Sequence, residues 1–232
     1  MAFNSSGNSL QKSAPIVFNL LIINGIAFAL QNFLPQFNIT EWGALHYYKS
    51  DLFKPHQLIT NMFLHGSFGH ILFNMLGLWM FGSILERFWG SKKFLIFYLI
   101  CGLAAGVFIE LTIPFSAGQY AKLPELAASH VPAAEIIKAY EQEYSCIGAS
   151  GAIMGIMAAF AYLFPNTQMY VWFIPIAIKA KYVIPVYILY DLFGGLNPSA
   201  GDNIGHFAHL GGALVGFLLV FYWNKTNRKT FY

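Results

Sequence analysis

Long apolar runs, rather than an apolar–polar alternation, organise this chain. They cover residues 15–34, 68–85, 94–114, 147–164 and 204–223. Each is about 18 to 21 residues long, against the roughly 20 that a helix needs to cross the hydrocarbon core of a bilayer. The stretch 169–196 is interrupted by Pro175, Lys179, Lys181 and Pro185. Its first part, 169–178, is too short to span and reads as an interfacial or re-entrant piece. Its second part, 182–196, spans if Lys179 and Lys181 extend to the interface. The pattern predicts an all-α membrane protein, a bundle of six transmembrane helices.

Composition supports a lipid environment. The 232 residues are 57% hydrophobic and 10% charged, with a mean hydropathy of +0.54. A soluble domain carries about 25% charged residues. No basic cluster interleaved with aromatics is present, so nucleic acid is excluded as a partner. The lipid bilayer is the implied surrounding.

Charge placement gives an orientation. Six spans put both termini on one side, with Lys12, Arg87, Lys92, Lys93, Lys179, Lys181, Lys225, Arg228 and Lys229. The opposite side holds only Lys49, Lys54, Lys122 and Lys138, and most of the acidic residues. The positive-inside rule makes both termini cytoplasmic. No cleavable signal peptide is read, and the first span is expected to act as its own insertion signal. A polar tail at 1–14, a six-span domain at 15–223 and a basic tail at 224–232 are the expected divisions. A multi-pass protein of a bacterial inner membrane is the expected location.

Two outer connections are long. Residues 35–67 are aromatic and amphipathic, which suits the headgroup layer. Residues 116–146 are more polar, and PAAEIIKAYEQEY within them predicts a short helix with Pro132 at its first turn. There is no internal repeat. Cys101 and Cys146 do not make a disulfide framework and read as inert.

Polar groups at membrane depth are costly and mark function by default. The notable ones are His70, Asn74, Ser150, Asp191, His206 and His209. The predicted topology starts the second, fourth and sixth spans at the outer side. His70, Ser150, His206 and His209 then lie within roughly 10 Å of the outer helix ends. His70 and Asn74 are four residues apart and share a helix face. Ser150 begins its helix, where backbone N–H groups are unpaired and the dipole favours negative charge. Such fixed donors are what an oxyanion hole requires. Gly151 and Gly155 face one way on the fourth span, and Gly212, Ala213 and Gly216 share a face with His209. Small faces let helix backbones approach closely, which brings His209 towards the Ser150 hydroxyl. A serine hydroxyl is a weak nucleophile until a base takes its proton. Asp191 reads as deeper and on another helix, and Asp202 as a loop residue. The expectation is therefore a Ser150–His209 dyad without an acidic partner, its imidazole oriented by packing and by neighbouring hydrogen bonds.

HGSFGHILFN, GASGAIMG and HFAHLGG, in that order on three spans, resemble the signature motifs of rhomboid intramembrane serine proteases. The resemblance implies a six-transmembrane-helix, rhomboid-like bundle. It implies Ser150 as nucleophile and His209 as general base, with His70 and Asn74 joining the Ser150 N–H in the oxyanion hole. Gly148, Gly151, Met154 and Phe73 are the expected supporting residues around the site. No cofactor and no metal are implied. The implied substrates are single-span transmembrane proteins, cut near the outer face. The fifth helix and residues 197–203 would act as a gate. Two departures stand out. FKPHQL carries His56 and Gln57 where many members have Trp-Arg, which touches the anchoring of the first outer loop. Met154 stands four after the serine where many members have an aromatic residue stacking on the histidine, and a thioether packs less rigidly. ERFWG, with Glu86 and Gly90, fits the family pattern.

Each feature alone has a plainer reading. GASGAIMG is an ordinary packing face, His70 an interfacial histidine, Asn74 an interhelical hydrogen bond. His206 and His209 lack the further ligands of a zinc site; His206 reads as hydrogen-bonded near the gate and Asp191 as a structural partner within the bundle. Shared depth, order and chemistry favour the joint reading. Against the protease stand a catalytically silent relative that binds membrane clients, and a transporter. A transporter needs a polar path through the whole bilayer, whereas these groups stop near the outer third.

Overall fold

The computed structural model describes residues 10–170, 177–199 and 204–226. All six apolar segments fold as helices: α1 (Pro15–Phe33), α2 (Phe68–Trp89), α3 (Ser91–Tyr120), α4 (Ser150–Leu163), α5 (Ala180–Leu196) and α6 (His206–Thr226). Helices α1, α2, α3 and α6 are long and apolar enough to cross a membrane. Helix α4 has 14 residues and α5 has 17, both shorter.

The shortness of α4 follows from its place. Gly151, Ala152, Ile153, Met154, Gly155, Ile156, Ala158, Ala159 and Phe160 are all buried, so it is covered nearly all round. A helix apolar on every side belongs in the centre of a bundle. It packs on α6, α3, α5 and the middle of α2. Fourteen residues rise about 21 Å, less than the roughly 30 Å of hydrocarbon. Ser150 heads this short, enclosed helix and is itself half-buried. Its neighbour α3 runs for 30 residues, through Pro114. Helix α2 is interrupted by a π turn at Leu78–Gly82.

The main core joins α1, α2, α3 and α4 through Val17, Leu20, Leu78, Leu85, Phe94, Phe97, Tyr98, Ile153 and Ile156. Glu86 ties three helix ends together. Its carboxylate oxygens accept the N–H groups of Ile16 (2.9 Å) and Val17 (2.8 Å) and the Ser91 hydroxyl (2.6 Å). The first N–H groups of α1, which lack intrahelical acceptors, are thus satisfied by an anion suited to the helix dipole.

The outer connections are ordered by short pieces. Strand β1 (Leu45–His46) pairs antiparallel with β2 (Ser145–Cys146), Leu45 opposite Cys146. This pins the first outer loop to the residues just before Ser150. The His56–Gln57 departure has a structural answer. The His56 ring stacks on Trp42 at 4.3 Å, with its Nε2 3.0 Å from the Trp42 carbonyl. Gln57 is buried; its amide oxygen accepts from the Lys54 (3.0 Å) and His46 (3.3 Å) N–H groups, and its NH2 donates to Leu52 O (3.0 Å). Glu110 of α3 also accepts the Tyr48 N–H at 2.7 Å. Phe37, Trp42 and Tyr48 stay exposed on this loop, as an interfacial position asks.

The expected short helix after Pro132 is present, Ala133–Glu143. In the stretch read as interfacial or re-entrant, β3 (Gln168–Tyr170) and β4 (Ala177–Lys179) form an antiparallel pair. Pairing satisfies the backbone polar groups of these two short segments. Residues 171–176 between the strands, Asp202 with residues 200–203 of the expected gate, and most of both expected tails lie outside the described residues.

Candidate active site

Ser150 starts α4 directly after Gly148-Ala149. Gly148 has φ = +130°, a conformation only glycine adopts freely. It also has no room for a side chain: a Cβ there would lie 2.7 Å from His70 Nε2 and 3.6 Å from Ser150 Oγ. The His70 ring and the serine hydroxyl therefore flank one small space, kept open by a glycine. The Gly148 N–H donates to Asn61 O at 2.8 Å, holding this turn against the first outer loop.

Close approach of α4 and α6 occurs through the glycines. A Cβ on Gly216 would lie 2.5 Å from Gly155 Cα, and one on Gly212 would overlap the Gly151 carbonyl. Gly151 also faces Ala208 O, 3.3 Å from where its Cβ would stand. The expected small-residue contact is thus present. It brings His209 Nε2 to 2.8 Å from Ser150 Oγ. His209 is buried, 7% exposed.

The other ring nitrogen corrects the expectation for Asp191. Asp191 is neither remote nor paired only elsewhere. Its Oδ1 lies 3.0 Å from His209 Nδ1 and 2.7 Å from His206 Nδ1. Asp191 lies five residues before the end of α5, and α5 meets α6 so that this part of it faces the first turn of α6. The imidazole is held by a carboxyl, not by packing alone. Met154 is buried in a small apolar cluster with Ala158 and Ala213. His206 hydrogen-bonds next to the site, as expected in kind.

On α2, the Ser67 hydroxyl accepts the His70 N–H at 3.1 Å and caps the helix. The Gly66 N–H donates to His70 Nδ1 at 3.3 Å. An acceptor Nδ1 places the proton of the neutral ring on Nε2, the atom beside the Gly148 space. Asn74 is buried, and its NH2 donates to the His70 carbonyl at 3.0 Å. One amide hydrogen is therefore used within the helix. Phe73 lies on α2 with 54% of its surface exposed.

Sequence reasoning passed over His65, the first histidine of HGSFGHILFN. It is buried, and its ring meets that of His70 edge-on at 5.0 Å. Burial, aided by the neighbouring His70, pushes its pKa down to about 4. The histidine pair bracketing a glycine and a serine was the available signal. Burial pushes the Cys146 thiol up to about 11, consistent with an unreactive cysteine.

A family model described as a rhomboid domain matches residues 53–225. The chain belongs to the rhomboid family. Among its relatives is the yeast (Saccharomyces cerevisiae) Rhomboid protein 1, mitochondrial, 28% identical over 173 residues, 74% of this chain and 43% of that protein. RHOMBOID-like protein 12, mitochondrial, of Arabidopsis thaliana is 31% identical over 228 residues, 93% of this chain and 60% of that one. Rhomboid protease GluP of Bacillus subtilis is 30% identical over 162 residues, 69% and 24% respectively. The chain spans less than two thirds of the length of each of these rhomboid relatives. The matched region contains every residue of the candidate site, from His65 to His209.

Proposed function

We propose that this rhomboid-family protein is an intramembrane serine endopeptidase. The observation that carries the reading is the 2.8 Å contact between His209 Nε2 and Ser150 Oγ at the head of a short, enclosed helix. In the proposed reaction His209 takes the Ser150 proton as Oγ attacks a peptide carbonyl carbon. His70 Nε2–H, the Asn74 amide and the Ser150 N–H receive the negative oxygen. The imidazolium then returns its proton to the leaving amine, and water resolves the acyl-enzyme by the same steps in reverse order.

The substrates we propose are single-span membrane proteins, cut near the outer face. The position of Ser150 at the head of an apolar helix enclosed by its neighbours favours a substrate that arrives through the bilayer. Six spans with both termini cytoplasmic is the proposed topology, supported by six helices in the expected places and by the distribution of Lys and Arg. The protein is an integral membrane protein, and a bacterial inner membrane is the proposed location. Two of the relatives are named as mitochondrial, and one, named as a protease, is from Bacillus subtilis. Residues 15–223 form the proposed catalytic domain between two cytoplasmic tails.

A fluorophosphonate probe tests the reading without knowledge of the substrate. Detergent-solubilised wild type should label at Ser150, and Ser150→Ala and His209→Ala should both fail to label while folding normally. A folded wild type that stays unlabelled beside an active rhomboid would replace the protease by a catalytically silent, client-binding protein.

A further inference from the structure

Among the described residues, Asp191 is the acidic side chain that reaches the proposed base. It is fully buried, and it stands on α5 while both its partners stand on α6. A single oxygen, Oδ1, meets two ring nitrogens, His206 Nδ1 at 2.7 Å and His209 Nδ1 at 3.0 Å. Oδ2 is buried without a hydrogen-bond partner among the described residues.

The contact is built into the helix surface. A Cβ on Gly194, one turn after Asp191, would stand 2.5 Å from His206 Cε1 and Nε2. The bare backbone there makes the space that the His206 ring fills. His206 in turn fixes the carboxyl so that Oδ1 points at His209.

We propose that Asp191 is a positioning residue for His209, with His206 holding the carboxyl in place. This rests on the reading of Ser150 and His209 as nucleophile and base. Oδ1 has two lone pairs and accepts from both rings when each carries its proton on Nδ1. The neutral His209 ring then has its lone pair on Nε2, the atom 2.8 Å from Ser150 Oγ. That tautomer takes the hydroxyl proton. The other one directs an N–H at the hydroxyl and cannot. As the proton arrives, the carboxyl also offsets the charge of the imidazolium without itself being protonated. A purely structural tie between α5 and α6 would need none of this register between oxygen and tautomer.

Asp191→Asn keeps shape and packing, and its amide can present an N–H to Nδ1, favouring the wrong tautomer. In the full chain in detergent micelles, its maximal rate of fluorophosphonate labelling should fall by at least about 10-fold, towards the roughly 10⁴-fold of a broken serine-protease triad. The probe concentration for half-maximal rate should stay within about two-fold, as befits a change in chemistry rather than binding. A fall of less than about 10-fold in the maximal rate would overturn the proposal. The second measurement is ¹⁵N NMR of histidine-labelled wild type, with His209 assigned by its loss in His209→Gln. A protonated Nδ1 and a bare Nε2 support the proposal, and a protonated Nε2 in the resting neutral ring overturns it. This second result decides the matter if Asp191→Asn does not fold. Wild type that never labels would defeat the protease reading, while the tautomer still reports on Asp191 separately.

Discussion

Gly212 of α6 lies so close to the carbonyl of Gly151 on α4 that a single methyl group on it would overlap the oxygen. This contact sets the helix separation, and the separation sets the reach of His209 to Ser150. Gly212→Ala should push α6 outward and lengthen the 2.8 Å contact. A displacement near 1 Å costs roughly 10²-fold in rate, and overpacking costs about 1 to 3 kcal/mol. Labelling kinetics and thermal unfolding in the same detergent check both effects. An alanine variant with wild-type labelling and melting would show that the glycine contact does not govern the site.

The oxyanion donors should be unequal. The Gly66 N–H fixes the His70 tautomer with its proton on Nε2, so that ring is a donor prepared before substrate arrives. Asn74 already donates one amide hydrogen to the His70 carbonyl and must offer its other. Asn74→Ala should lower turnover by roughly 10-fold to 10³-fold, the scale of one lost oxyanion donor. His70→Ala should cost more than Asn74→Ala. Both should leave the half-saturating probe concentration nearly unchanged. Equal rates in wild type and His70→Ala would remove His70 from the proposed hole.

Much of this was legible in the chain, because each signal lay within one helix. Apolar runs gave six helices, the spacing of His70 and Asn74 gave a shared face, and the glycines of α4 and α6 gave their contact. What was not legible depended on how helices cross. Asp191 is 18 residues before His209, on another element, and no pattern within α5 says which neighbour that side chain faces. The pairing of β3 with β4 was likewise hidden, since Met169 opposite Ile178 joins two short segments that are separate in the chain. The role of Gln57 as an anchor was obscured because its partners, His46, Leu52 and Lys54, are backbone groups of a loop. Backbone partners leave no side-chain pattern to read.

Glu86 should matter for stability and hardly for chemistry. It accepts from Ile16, Val17 and Ser91 at the end of α2 remote from His70. The separation along the helix is roughly 20 Å. Glu86→Ala leaves the buried Val17 N–H without an acceptor, at about 1 to 3 kcal/mol, and the part-buried Ile16 N–H as well, at less. The melting temperature should drop clearly, while the labelling rate of the folded fraction at low temperature stays within about two-fold of wild type. A large loss of rate at unchanged stability would mean that this end of the bundle communicates with Ser150.

His65 gives the protein a built-in acid sensitivity. Burial first, then the proximity of His70, holds its pKa down to about 4, against about 6.5 in an unfolded chain. Between these values the unfolded chain binds more protons than the folded one. Stability from this group is therefore complete above about pH 6.5 and is lost as pH falls from there through about 4. The loss amounts to at most about 3 kcal/mol. His65→Phe removes the titrating group and keeps a ring against His70. Wild type should lose much more thermal stability than His65→Phe between about pH 7 and about pH 4.5, and the two curves should run parallel above neutrality. Parallel curves across the whole range would mean that the His65 ring charges in the folded state as easily as in the unfolded one, and that acid sensitivity arises at other groups.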